Sequence, residues 1–427
     1  MRKMLVTRGA QGAGKTHFAH TLRLHEHVLS ADAIRQITAA PVLTVSGRYG
    51  TSQDHDARVW KQLFQLCDER MGRGELLILD ATHPNAKAFE GYVALAHKHR
   101  YEIRCVDFAG VPLERCLAQN RLREDPWFVP EAVIRKTWAA CVEGEVPVER
   151  IEWQEDGGHV DDVLAWLDEP IVDLSSYEAV VHIGDLQGCF SPLRMLLDPT
   201  EEDGGIRAQN FYIFIGDLCD RGDENAEVIR FALRHMHKDN VVFLWGNHEE
   251  HLHRWARGLD PVSTEFDERT RPQLEAGGIA PALLDPLCDR LRDVVRYTFR
   301  DHRVMACHAG MSTVPKMPAR VSSRQWANGV GFYAEAIDPI FTDRAPEGWV
   351  QVHGHRNIHA LPTHAAERSF NLEGKVEFGG DLRVVVLDAM GWHERAIRNP
   401  VFRPIQKVVA AGKLRHAKSH PQWVTAD

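Results

Sequence analysis

The sequence has no run of about 18 apolar residues, the length that a membrane-spanning helix requires. Its first residues also lack the apolar stretch of a signal peptide. The eight cysteines form no C-x-x-C pair, so they are expected to be reduced thiols of the core. These absences together predict a cytoplasmic protein that has no membrane partner.

Positive charge is also scarce, because 51 lysines and arginines stand against 60 acidic residues and give a formal net charge of −9. This balance argues against a general nucleic-acid binder, which usually carries a basic surface. An enzyme that holds a single chain end needs only a local basic site. The C-terminal segment is an exception, since Arg403 to Lys418 contains five basic residues and no acid. Such a tail either contacts phosphates or is solvated.

With 427 residues and no internal repeat or low-complexity tract, the chain has room for two or three domains. Apolar runs of strand length alternate with helical patterns over the first 150 residues, including a helix at 16–25 and a mostly helical segment at 111–140, which predicts a parallel α/β sheet. An acidic stretch with Gly-Gly and a proline then precedes a second series of six strands. We therefore predict an α/β protein with a first domain at 1–168, a linker at 169–177, a second α/β domain at 178–398 and a basic tail at 399–427.

Residues 9–16, GAQGAGKT, match the phosphate-binding loop G-x-x-x-x-G-K-[ST] in full. Gly9 opens the loop, and Gly12 and Gly14 let backbone N–H groups close around phosphate oxygens. Lys15 offers a cation to the β- and γ-phosphates, and Thr16 offers a hydroxyl to Mg²⁺. A glycine-rich turn with an exposed lysine is the alternative, but the motif follows a predicted strand and opens a helix. The sequence therefore predicts binding of ATP with Mg²⁺.

Charged residues after the loop are candidates for phosphoryl transfer. Asp32 follows a predicted second strand, where a carboxylate near the γ-phosphate could accept the proton of an attacking hydroxyl. Arg35, one helical turn later, could hold a phosphate of the acceptor. The alternative is an Asp32 that caps the helix and a solvated Arg35. Asp80 could support Mg²⁺ or cap a turn, and Arg121 and Arg123 form a candidate lid that neutralises charge during transfer.

The first 150 residues resemble the 5′-hydroxyl polynucleotide kinases of phage and bacterial RNA repair. The resemblance rests on GAQGAGKT, the D-x-x-R pair, DAT at 80–82 and the arginine-bearing segment ahead of VPEAVIRK. It implies that the lysine and threonine of the loop bind ATP·Mg²⁺, that Asp32 is the general base for a 5′-hydroxyl and that Arg35 contacts the 3′ phosphate of the acceptor. It also implies that a lid arginine, Arg123 in preference to Arg121, touches the ATP phosphates.

The second half carries five short motifs in a fixed order, GDLQG, GDLCDRG, GNHE, CHAG and HGHR. Their carboxylate, amide and imidazole groups are oxygen and nitrogen donors that suit Mn²⁺, Fe²⁺, Ni²⁺ or Zn²⁺ rather than Ca²⁺. Two such metals can share one carboxylate and activate a water near neutral pH, and Asp217 is the natural bridging group. The candidate ligands are Asp185, Gln187, Asp217, Asn247, His308 and His355.

Three residues beside these ligands have candidate roles in catalysis. Arg221 can clamp phosphate oxygens in a bidentate fork. His248 can protonate the leaving group, and Asp220 can orient and charge that histidine. Other histidines have no motif support and are interpreted as surface or structural residues: His182, His251, His253 and His302.

Residues 178–390 resemble the calcineurin-like phosphoesterases in these motifs and in NLEGKVEFGGDLRVVVLD near the end. The resemblance implies an α/β sandwich that holds two divalent transition metals, Mn²⁺ first among them. The first family motif usually reads GD-x-HG, whereas here Gln187 stands in place of the histidine. Its neutral oxygen is a weaker ligand, so the first metal is either held more loosely or bound through water. Symmetrical diadenosine tetraphosphate hydrolases of this superfamily share DLQGC, which raises a dinucleotide as an alternative substrate.

A P-loop NTPase-type domain followed by a calcineurin-like domain resembles the kinase and phosphatase modules of bacterial end-healing enzymes. The resemblance implies that RNA or DNA ends, RNA foremost, gain a 5′ phosphate from ATP. They would lose a 3′ phosphate or a 2′,3′-cyclic phosphate at the metal site. No K-x-D-G signature is present, so sealing would need a separate ligase. Two alternatives stay open: a small-molecule kinase joined to a dinucleotide polyphosphate hydrolase, and a protein phosphatase gated by ATP.

Overall fold

The computed structural model describes most of the chain, namely residues 2–45, 47–52, 54–197, 205–260 and 262–402. The segment 403–427, which makes up most of the predicted basic tail, lies outside the described residues. Among the described residues, no helix has both the length and the apolar character needed to cross a membrane. All eight cysteines are buried and free, which fits the prediction of reduced thiols in the core.

The first domain is built from strands that alternate with helices, as the pattern of apolar runs predicts. Its strands are β1 (Arg2–Arg8), β2 (Val28–Ser30), β3 (Val42–Leu43), β4 (Tyr49–Gly50), β5 (Leu77–Asp80), β6 (Tyr101–Asp107) and β7 (Glu149–Glu152). Its α-helices are α1 (Lys15–Thr21), α2 (Ala31–Thr38), α3 (Asp56–Gly72), α4 (Glu90–His99), α5 (Leu113–Arg121), α6 (Glu131–Glu143) and α7 (Gly158–Leu167). Short 3₁₀ helices lie at His25–His27 and Ala86–Ala88.

The main sheet of the first domain is parallel, with the strand order β2-β5-β1-β6-β7. Helices cover both faces, which explains the apolar runs Met4–Val6 in β1 and Leu77–Leu79 in β5. Successive side chains of β1 point to opposite faces. Leu5 packs in a core with α1, α5 and α7, whereas Met4 and Val6 pack in a second core with α2, α3 and α4. The loops after β1, β2 and β5 meet at the carboxyl edge of this sheet.

Two predicted helical segments of the first domain differ in extent from the structure. The helix predicted over 16–25 ends at Thr21, and Arg23 adopts a left-handed φ of 54° before the first 3₁₀ helix. The segment 111–140, predicted as mostly helical, is divided into α5 and α6 by a loop at 122–130. That loop contains two prolines, which lack the backbone N–H that a continuous helix needs.

The second domain has more strands than the first domain, and its helices are shorter on average. Its strands are β8 (Val172–Asp173), β9 (Ala179–Ile183), β10 (Asn210–Phe214), β11 (Val241–Phe243), β12 (Val294–Phe299), β13 (His302–Cys307), β14 (Trp349–His353), β15 (His364–Ala366), β16 (Ser369–Asn371), β17 (Asp381–Asp388) and β18 (Gly391–Arg398). Its α-helices are α8 (Phe190–Leu196), α9 (Asn225–His235), α10 (Glu249–Ala256), α11 (Arg271–Ala276), α12 (Pro281–Arg290), α13 (Ser323–Asn328) and α14 (Ile337–Arg344). A π-helix lies at Phe266–Thr270, and 3₁₀ helices lie at Pro318–Arg320 and Val376–Phe378.

Two mixed sheets pack face to face in the second domain, with the strand orders β11-β10-β9-β17-β18 and β15-β16-β14-β13-β12-β8. Val180 and Ile213 from one sheet and Tyr297 and Val304 from the other share the core between them. Helices cover the outer faces. The predicted linker segment 169–177 contains β8, which pairs with β12 of the second domain. The predicted fold class, a parallel-sheet domain followed by an α/β sandwich, is confirmed.

The two domains pack against each other at the amino edge of the first sheet. Arg100, just before β6, is buried, and its guanidinium lies 3.9 Å from the ring centroid of Trp245. Arg2, at the start of β1, donates from Nε to Ser323 Oγ at 2.9 Å and also lies over Trp245. The phosphate-binding loop follows the opposite end of β1. It therefore faces away from the second domain.

Candidate active sites

The glycines of the phosphate-binding loop lie between β1 and α1, where the sequence predicts them. Gly9, Gly12 and Gly14 have backbone φ values of 142°, 85° and 103°, which residues other than glycine rarely adopt. A Cβ atom on Gly12 would lie 2.2 Å from the carbonyl oxygen of Cys116, so only glycine fits against α5. The backbone of the loop thus depends on glycine at the three positions predicted to contact phosphate.

Lys15 and Thr16, the predicted partners of phosphate and Mg²⁺, begin α1. Lys15 is buried, and its Nζ donates to the carbonyl oxygens of Gly9 and Ala10, both at 2.8 Å. Burial lowers the pKa of this lysine, and the charge of Asp80 raises it in part. Thr16 Oγ1 donates to Asp80 Oδ2 at 2.8 Å, which brings the DAT aspartate to the loop. An ammonium, a hydroxyl and a carboxylate in this arrangement fit the phosphates and Mg²⁺ of a bound nucleotide.

Asp32 and Arg35 are in contact, as their spacing of one helical turn predicts. Ser30, rather than Asp32, is the N-cap of α2, since its hydroxyl accepts a backbone N–H of the first turn at 3.4 Å. Arg35 pairs with Asp32 at 2.7 Å and with Asp56 at 2.6 Å, and it lies over Trp60. Asp56 was not predicted from the sequence. A phosphate that binds Arg35 has to displace at least one of these carboxylates.

The two candidate lid arginines lie at the end of α5 and in the loop after it. Arg121 is 65% exposed and pairs with Glu131 at 2.9 Å. Arg123 donates to the carbonyl oxygen of Trp127 at 3.2 Å. Burial is the main cause of the lowered pKa of Lys15, and the charge of Arg123 also contributes to it. Arg123 is therefore within electrostatic range of the loop lysine, and the preference for this residue over Arg121 stays a prediction.

The hairpin of β3 and β4 contacts the lid through Arg48, a residue that was not predicted from the sequence. Arg48 donates from Nε to Asp125 at 2.7 Å and from Nη2 to the carbonyl oxygen of Arg123 at 2.7 Å. Its guanidinium also lies 4.2 Å from the ring centroid of Phe128. The hairpin thereby braces the loop that carries the preferred lid arginine.

In the second domain the predicted metal ligands meet at the carboxyl ends of strands. Asp185 follows β9, Asp217 follows β10, Asn247 follows β11, His308 follows β13 and His355 follows β14. Ligand atoms of Asp217, His308 and His355 lie within 4.8 Å of one another, which is close enough to hold one metal ion. His308 Nδ1 lies 2.9 Å from a backbone carbonyl oxygen, to which it can donate, while Nε2 lies 3.3 Å from Asp217 Oδ1. The bond from Nδ1 to the carbonyl orients the imidazole and leaves Nε2, beside Asp217, for the metal.

The other side of the metal centre carries buried acceptor atoms that have no partner among the described residues. Asp185 Oδ1 and Gln187 Oε1 are both of this kind. Gln187 donates from Nε2 to Asp217 Oδ2 at 2.8 Å, which leaves its amide oxygen free. Burial raises the pKa of Asp185, and the charges of Glu373 and Asp217 raise it further. Clustered carboxylates and unpaired acceptors fit a second cation, with Gln187 in the place of the family histidine.

Replacement of Gln187 by alanine would remove both its free amide oxygen and its hydrogen bond to Asp217. We expect the affinity for one of two metal ions to fall roughly 10- to 100-fold, as is typical when a supporting group at a metal site is lost. The metal content of the protein, measured by mass spectrometry after dialysis against limiting Mn²⁺, checks this expectation. Loss of both ions, or retention of both, would contradict a role for Gln187 at one site.

His248, the predicted acid, borders the metal centre. Its Nδ1 donates to Asp220 Oδ2 at 2.6 Å, and Thr270 donates its hydroxyl to the other oxygen of Asp220. His248 Nε2 is buried and lies 3.9 Å from Asp217 Oδ2, but it has no hydrogen-bond partner within the described ranges and is available to a substrate. Burial lowers the pKa of His248, but the charge of Asp217 and the bond to Asp220 outweigh burial and raise it. A histidine whose protonated form is favoured in this way is suited to donate a proton to a leaving group.

Glu249 of the GNHE motif ties two loops of the metal centre together, a role that was not predicted. Its buried carboxylate accepts backbone N–H groups from Asp217 at 2.9 Å, from Leu218 at 2.8 Å and from Gly246 at 2.7 Å. The loop after β10 is thereby fixed to the loop after β11. Burial raises the pKa of Glu249 to about 7, and the charge of Asp217 adds to this shift.

Arg221, the predicted phosphate clamp, is held by a glutamate from a distant part of the sequence. Its Nη1 donates to Glu377 Oε1 at 3.1 Å, and the side chain of Glu377 is only 2% exposed. Glu377 and Glu373 both belong to the segment NLEGKVEFGG, in which the sequence indicates a family motif but no role for either residue. The structure adds both carboxylates to the acidic surroundings of the metal centre.

The four histidines without motif support divide into two groups. His182 is buried and bonds to a backbone carbonyl and to a tyrosine hydroxyl, and His253 is buried beside the domain interface, so both are structural. His302 is half-buried at the start of β13. His251, in contrast, has a ring nitrogen within 4.8 Å of ligand atoms of Asp220 and His248. It therefore borders the predicted acid, and its interpretation as a surface or structural residue stays a prediction.

Several residues of the metal centre have a left-handed backbone although they are not glycine. Each such conformation costs on the order of 1–2 kcal/mol. Strained residues that cluster in one place, held by their surroundings, are typical of functional sites. The residues and their φ values are Gln187 (45°), Asp217 (47°), Asp220 (84°), Arg221 (59°) and His355 (65°).

A phosphate-binding loop on a parallel sheet and a carboxylate–imidazole cluster on a sandwich define two classes of phosphate-handling domain. Residues 4–143 match the AAA domain family, and residues 179–386 match the calcineurin-like phosphoesterase family. The chain therefore carries an N-terminal AAA or P-loop-type domain and a C-terminal calcineurin-like metallophosphatase domain. The second domain implies divalent metals, for which the cluster at Asp217 provides ligands.

The second domain is also similar to curated and solved proteins. A symmetrical bis(5′-nucleosyl)-tetraphosphatase of Actinobacillus succinogenes is 31% identical over 171 residues, which are 39% of this chain and 58% of that protein. The enzyme of the same name from Vibrio cholerae is 29% identical over 170 residues, with the same coverage of 39% and 58%. The chain thus spans a little over half the length of these relatives. The structure of a protein serine/threonine phosphatase from Saccharomyces cerevisiae aligns with a TM-score of 0.39 and 14% identity, over 57% of this chain and 88% of that one.

Proposed function

We propose that the chain heals nucleic-acid ends: the first domain adds a phosphate to a 5′-hydroxyl, and the second removes a phosphate from a 3′ end. The observation that carries the proposal is the presence of two phosphate sites with opposite chemistry in one chain. One has a loop lysine, Lys15, whose pKa is lowered by burial, and a carboxylate, Asp32, whose charge offsets a part of that shift. The other has its own acid, His248, beside candidate metal ligands.

In the first domain, Asp32 accepts the proton of the 5′-hydroxyl as that oxygen attacks the γ-phosphorus of ATP and ADP leaves. Its side chain is 54% exposed, so an acceptor can reach it. Ile37 on the same helix and Leu122 between the lid arginines are 87% and 77% exposed. These apolar side chains, on the elements that carry Asp32 and the lid arginines, are open to contact with an acceptor.

In the second domain, bound metals would supply an activated water and offset the charge of the phosphate. Asp185, Gln187 and Asp217 would hold one ion, and Asp217 with its neighbouring histidines would hold the other. Arg221 binds the phosphate oxygens in its planar fork. His248 Nε2 gives its proton to the departing 3′ oxygen, while Asp220 holds the imidazole in place.

Hydrolysis of dinucleoside polyphosphates is the second candidate for this domain. The relatives with 31% and 29% identity are both named symmetrical bis(5′-nucleosyl)-tetraphosphatases, and the GDLQG motif favours the same substrate. In this case the first domain would phosphorylate a free nucleoside or another small acceptor. The two candidates share the metal centre and differ both in the substrate of the second domain and in the acceptor of the first.

An oligonucleotide with a 5′-hydroxyl and a 3′ phosphate, incubated with ATP, Mg²⁺ and Mn²⁺, tests both halves at once. We expect the wild type to add one phosphate and remove the other, as read by mass spectrometry of the product. Asp32→Ala is expected to slow 5′ phosphorylation by roughly 10²- to 10⁴-fold, the usual contribution of a general base. ATP binding by this variant should persist, because Asp32 touches the acceptor rather than the loop.

Matched variants assign each reaction to its domain. Lys15→Ala should abolish only the 5′ phosphorylation, and Asp217→Ala should abolish only the 3′ dephosphorylation. An unchanged oligonucleotide together with cleavage of diadenosine tetraphosphate would reject end healing in favour of the second candidate. Normal 5′ phosphorylation by Asp32→Ala would remove that residue from the mechanism.

A further inference from the structure

A cavity of about 350 Å³ opens beside Arg221 in the second domain. Its walls come from the loop after β9, the segment that follows Asp217, the 3₁₀ helix Val376–Phe378 and the residues after β18. This volume lies within the range of small-molecule sites. Arg221, the predicted phosphate clamp, lines the cavity, and so does Gly188, which follows the candidate ligand Gln187, so the cavity adjoins the metal centre.

Two aromatic rings stand at the mouth of the cavity. Phe378 is 57% exposed, and Phe402 is 37% exposed. Phe402 lies against Gly379, and a Cβ atom on Gly379 would come within 2.6 Å of the phenyl ring. The ring can occupy this place only because residue 379 is a glycine. Rings that remain exposed beside a phosphate site are suited to stack on a nucleobase.

Inside the cavity, Glu377 offers a hydrogen-bond acceptor that nothing in the described structure uses. Its Oε1 accepts from Arg221, but its Oε2 is buried and has no partner within the described residues. A buried acceptor without a partner costs free energy that a ligand can recover by supplying a donor. An amino group of a base or a hydroxyl of a sugar would be such a donor.

The charge of the cavity favours the uncharged part of a substrate. Acidic residues outnumber basic ones in its walls, since Asp223, Glu224 and Glu265 accompany Glu377. The second arginine, Arg269, already pairs with Asp223 at 2.9 Å. Phosphate groups would be repelled from these carboxylates and kept at the cationic centre, whereas a neutral, donor-rich group would be accepted.

We propose that the cavity binds the nucleoside whose phosphate is processed at the metal centre. The proposal rests on the proposed function, because it takes a nucleotide as the substrate of the second domain. Phe378 and Phe402 contact the base, and Glu377 Oε2 accepts a hydrogen bond from the base or the sugar. The nucleoside can belong to the 3′ end of a nucleic acid or to a dinucleoside polyphosphate, since both carry one near the reacting phosphate.

The test compares substrates with and without a nucleoside, using the full-length protein with Mn²⁺. The substrates are a 3′-phosphorylated dinucleotide, diadenosine tetraphosphate and glycerol 2-phosphate. For Phe378→Ala we expect the ratio of kcat/KM for a nucleotide to that for glycerol 2-phosphate to fall roughly 10-fold, mainly through KM, as for loss of one stacked base. Met390→Ala, which removes an apolar side chain that is 86% exposed at another turn of the same domain, should keep the wild-type ratio.

The two nucleotide substrates distinguish a nucleoside at a nucleic-acid end from one in a dinucleoside polyphosphate. A fall in the ratio for the dinucleotide assigns the cavity to nucleic-acid ends, and a fall only for diadenosine tetraphosphate assigns it to dinucleoside polyphosphates. An equal ratio in Phe378→Ala and wild type would overturn the proposal. If glycerol 2-phosphate alone is hydrolysed, the proposed function fails. Inhibition of that hydrolysis by adenosine then tests the cavity: inhibition about 10-fold weaker in Phe378→Ala supports it, and equal inhibition overturns it.

Discussion

Glu249→Ala is expected to lower the free energy of unfolding of the second domain by about 4 kcal/mol, because three buried N–H groups would lose their acceptor. Those groups belong to Asp217, Leu218 and Gly246. Asp217 would also lose the bond that holds its left-handed backbone. We therefore expect metal affinity to fall by at least about 100-fold, which is the upper end of the range for residues that hold metal ligands in place. Denaturant titration and metal content measure the two effects.

Glu250→Ala is the matched control for this prediction. Glu250 is the next residue on α10 and carries the same carboxylate, but the three N–H groups bind Glu249 and not Glu250. Its replacement should leave metal content at the wild-type level. Glu249→Gln, which keeps one acceptor oxygen, should fall between the wild type and the alanine variant. A Glu249→Ala protein as stable as the wild type would show that the three N–H groups find other acceptors.

Asp107→Ala is expected to destabilise the first domain by roughly 3–5 kcal/mol, because it would leave the guanidinium of Arg8 buried without a counter-charge. Both side chains are 1% exposed, and Arg8 Nη1 lies 2.8 Å from each oxygen of Asp107. Arg8 immediately precedes Gly9, so loss of its anchor would disturb the phosphate-binding loop as well. Thermal unfolding together with ATP binding would record both consequences.

A second arginine that pairs with Asp107, Arg150, provides the control for this prediction. Arg150 lies 3.4 Å from Asp107 Oδ2, but its side chain is 49% exposed. Arg150→Ala should cost less than about 1 kcal/mol, as is usual for solvated ion pairs. The double variant Arg8→Met with Asp107→Leu should recover much of the stability, because two apolar side chains replace two buried charges. Equal losses for Asp107→Ala and Arg150→Ala would contradict the assigned difference in burial.

Much of the fold could be predicted because its inner strands are apolar runs bounded by motifs. β5 and the strands that end at metal ligands have this form, and β1 contains the apolar run Met4–Val6 directly before the phosphate-binding loop. β18, by contrast, reads GWHERAIR and is largely exposed, so its sequence lacks the alternation of a half-buried strand. It becomes a strand through pairing along its whole length with β17. Tertiary pairing of this kind is invisible to a local pattern.

The candidate sites likewise contain residues that could be predicted from local motifs and contacts that could not. Ligands such as Asp217 and His308 could be predicted because each belongs to a local motif at a strand end. The contacts that hold the site join distant segments: Arg35 pairs with Asp56 across 21 residues, and Arg221 with Glu377 across 156. The sequence contains these residues but gives no sign of which pairs meet. Their roles become clear only when the strands bring the loops together.

The attachment of the second domain to the amino edge of the first sheet has a consequence for the repair of a broken strand. Under the proposed function, the 5′ end is treated beyond the far edge of that sheet and the 3′ end is treated in the other domain. The length of β1, about 20 Å for its seven residues, separates the phosphate-binding loop from the interface. The two healed ends are thus released at separate places, and the joining enzyme must bring them into register itself.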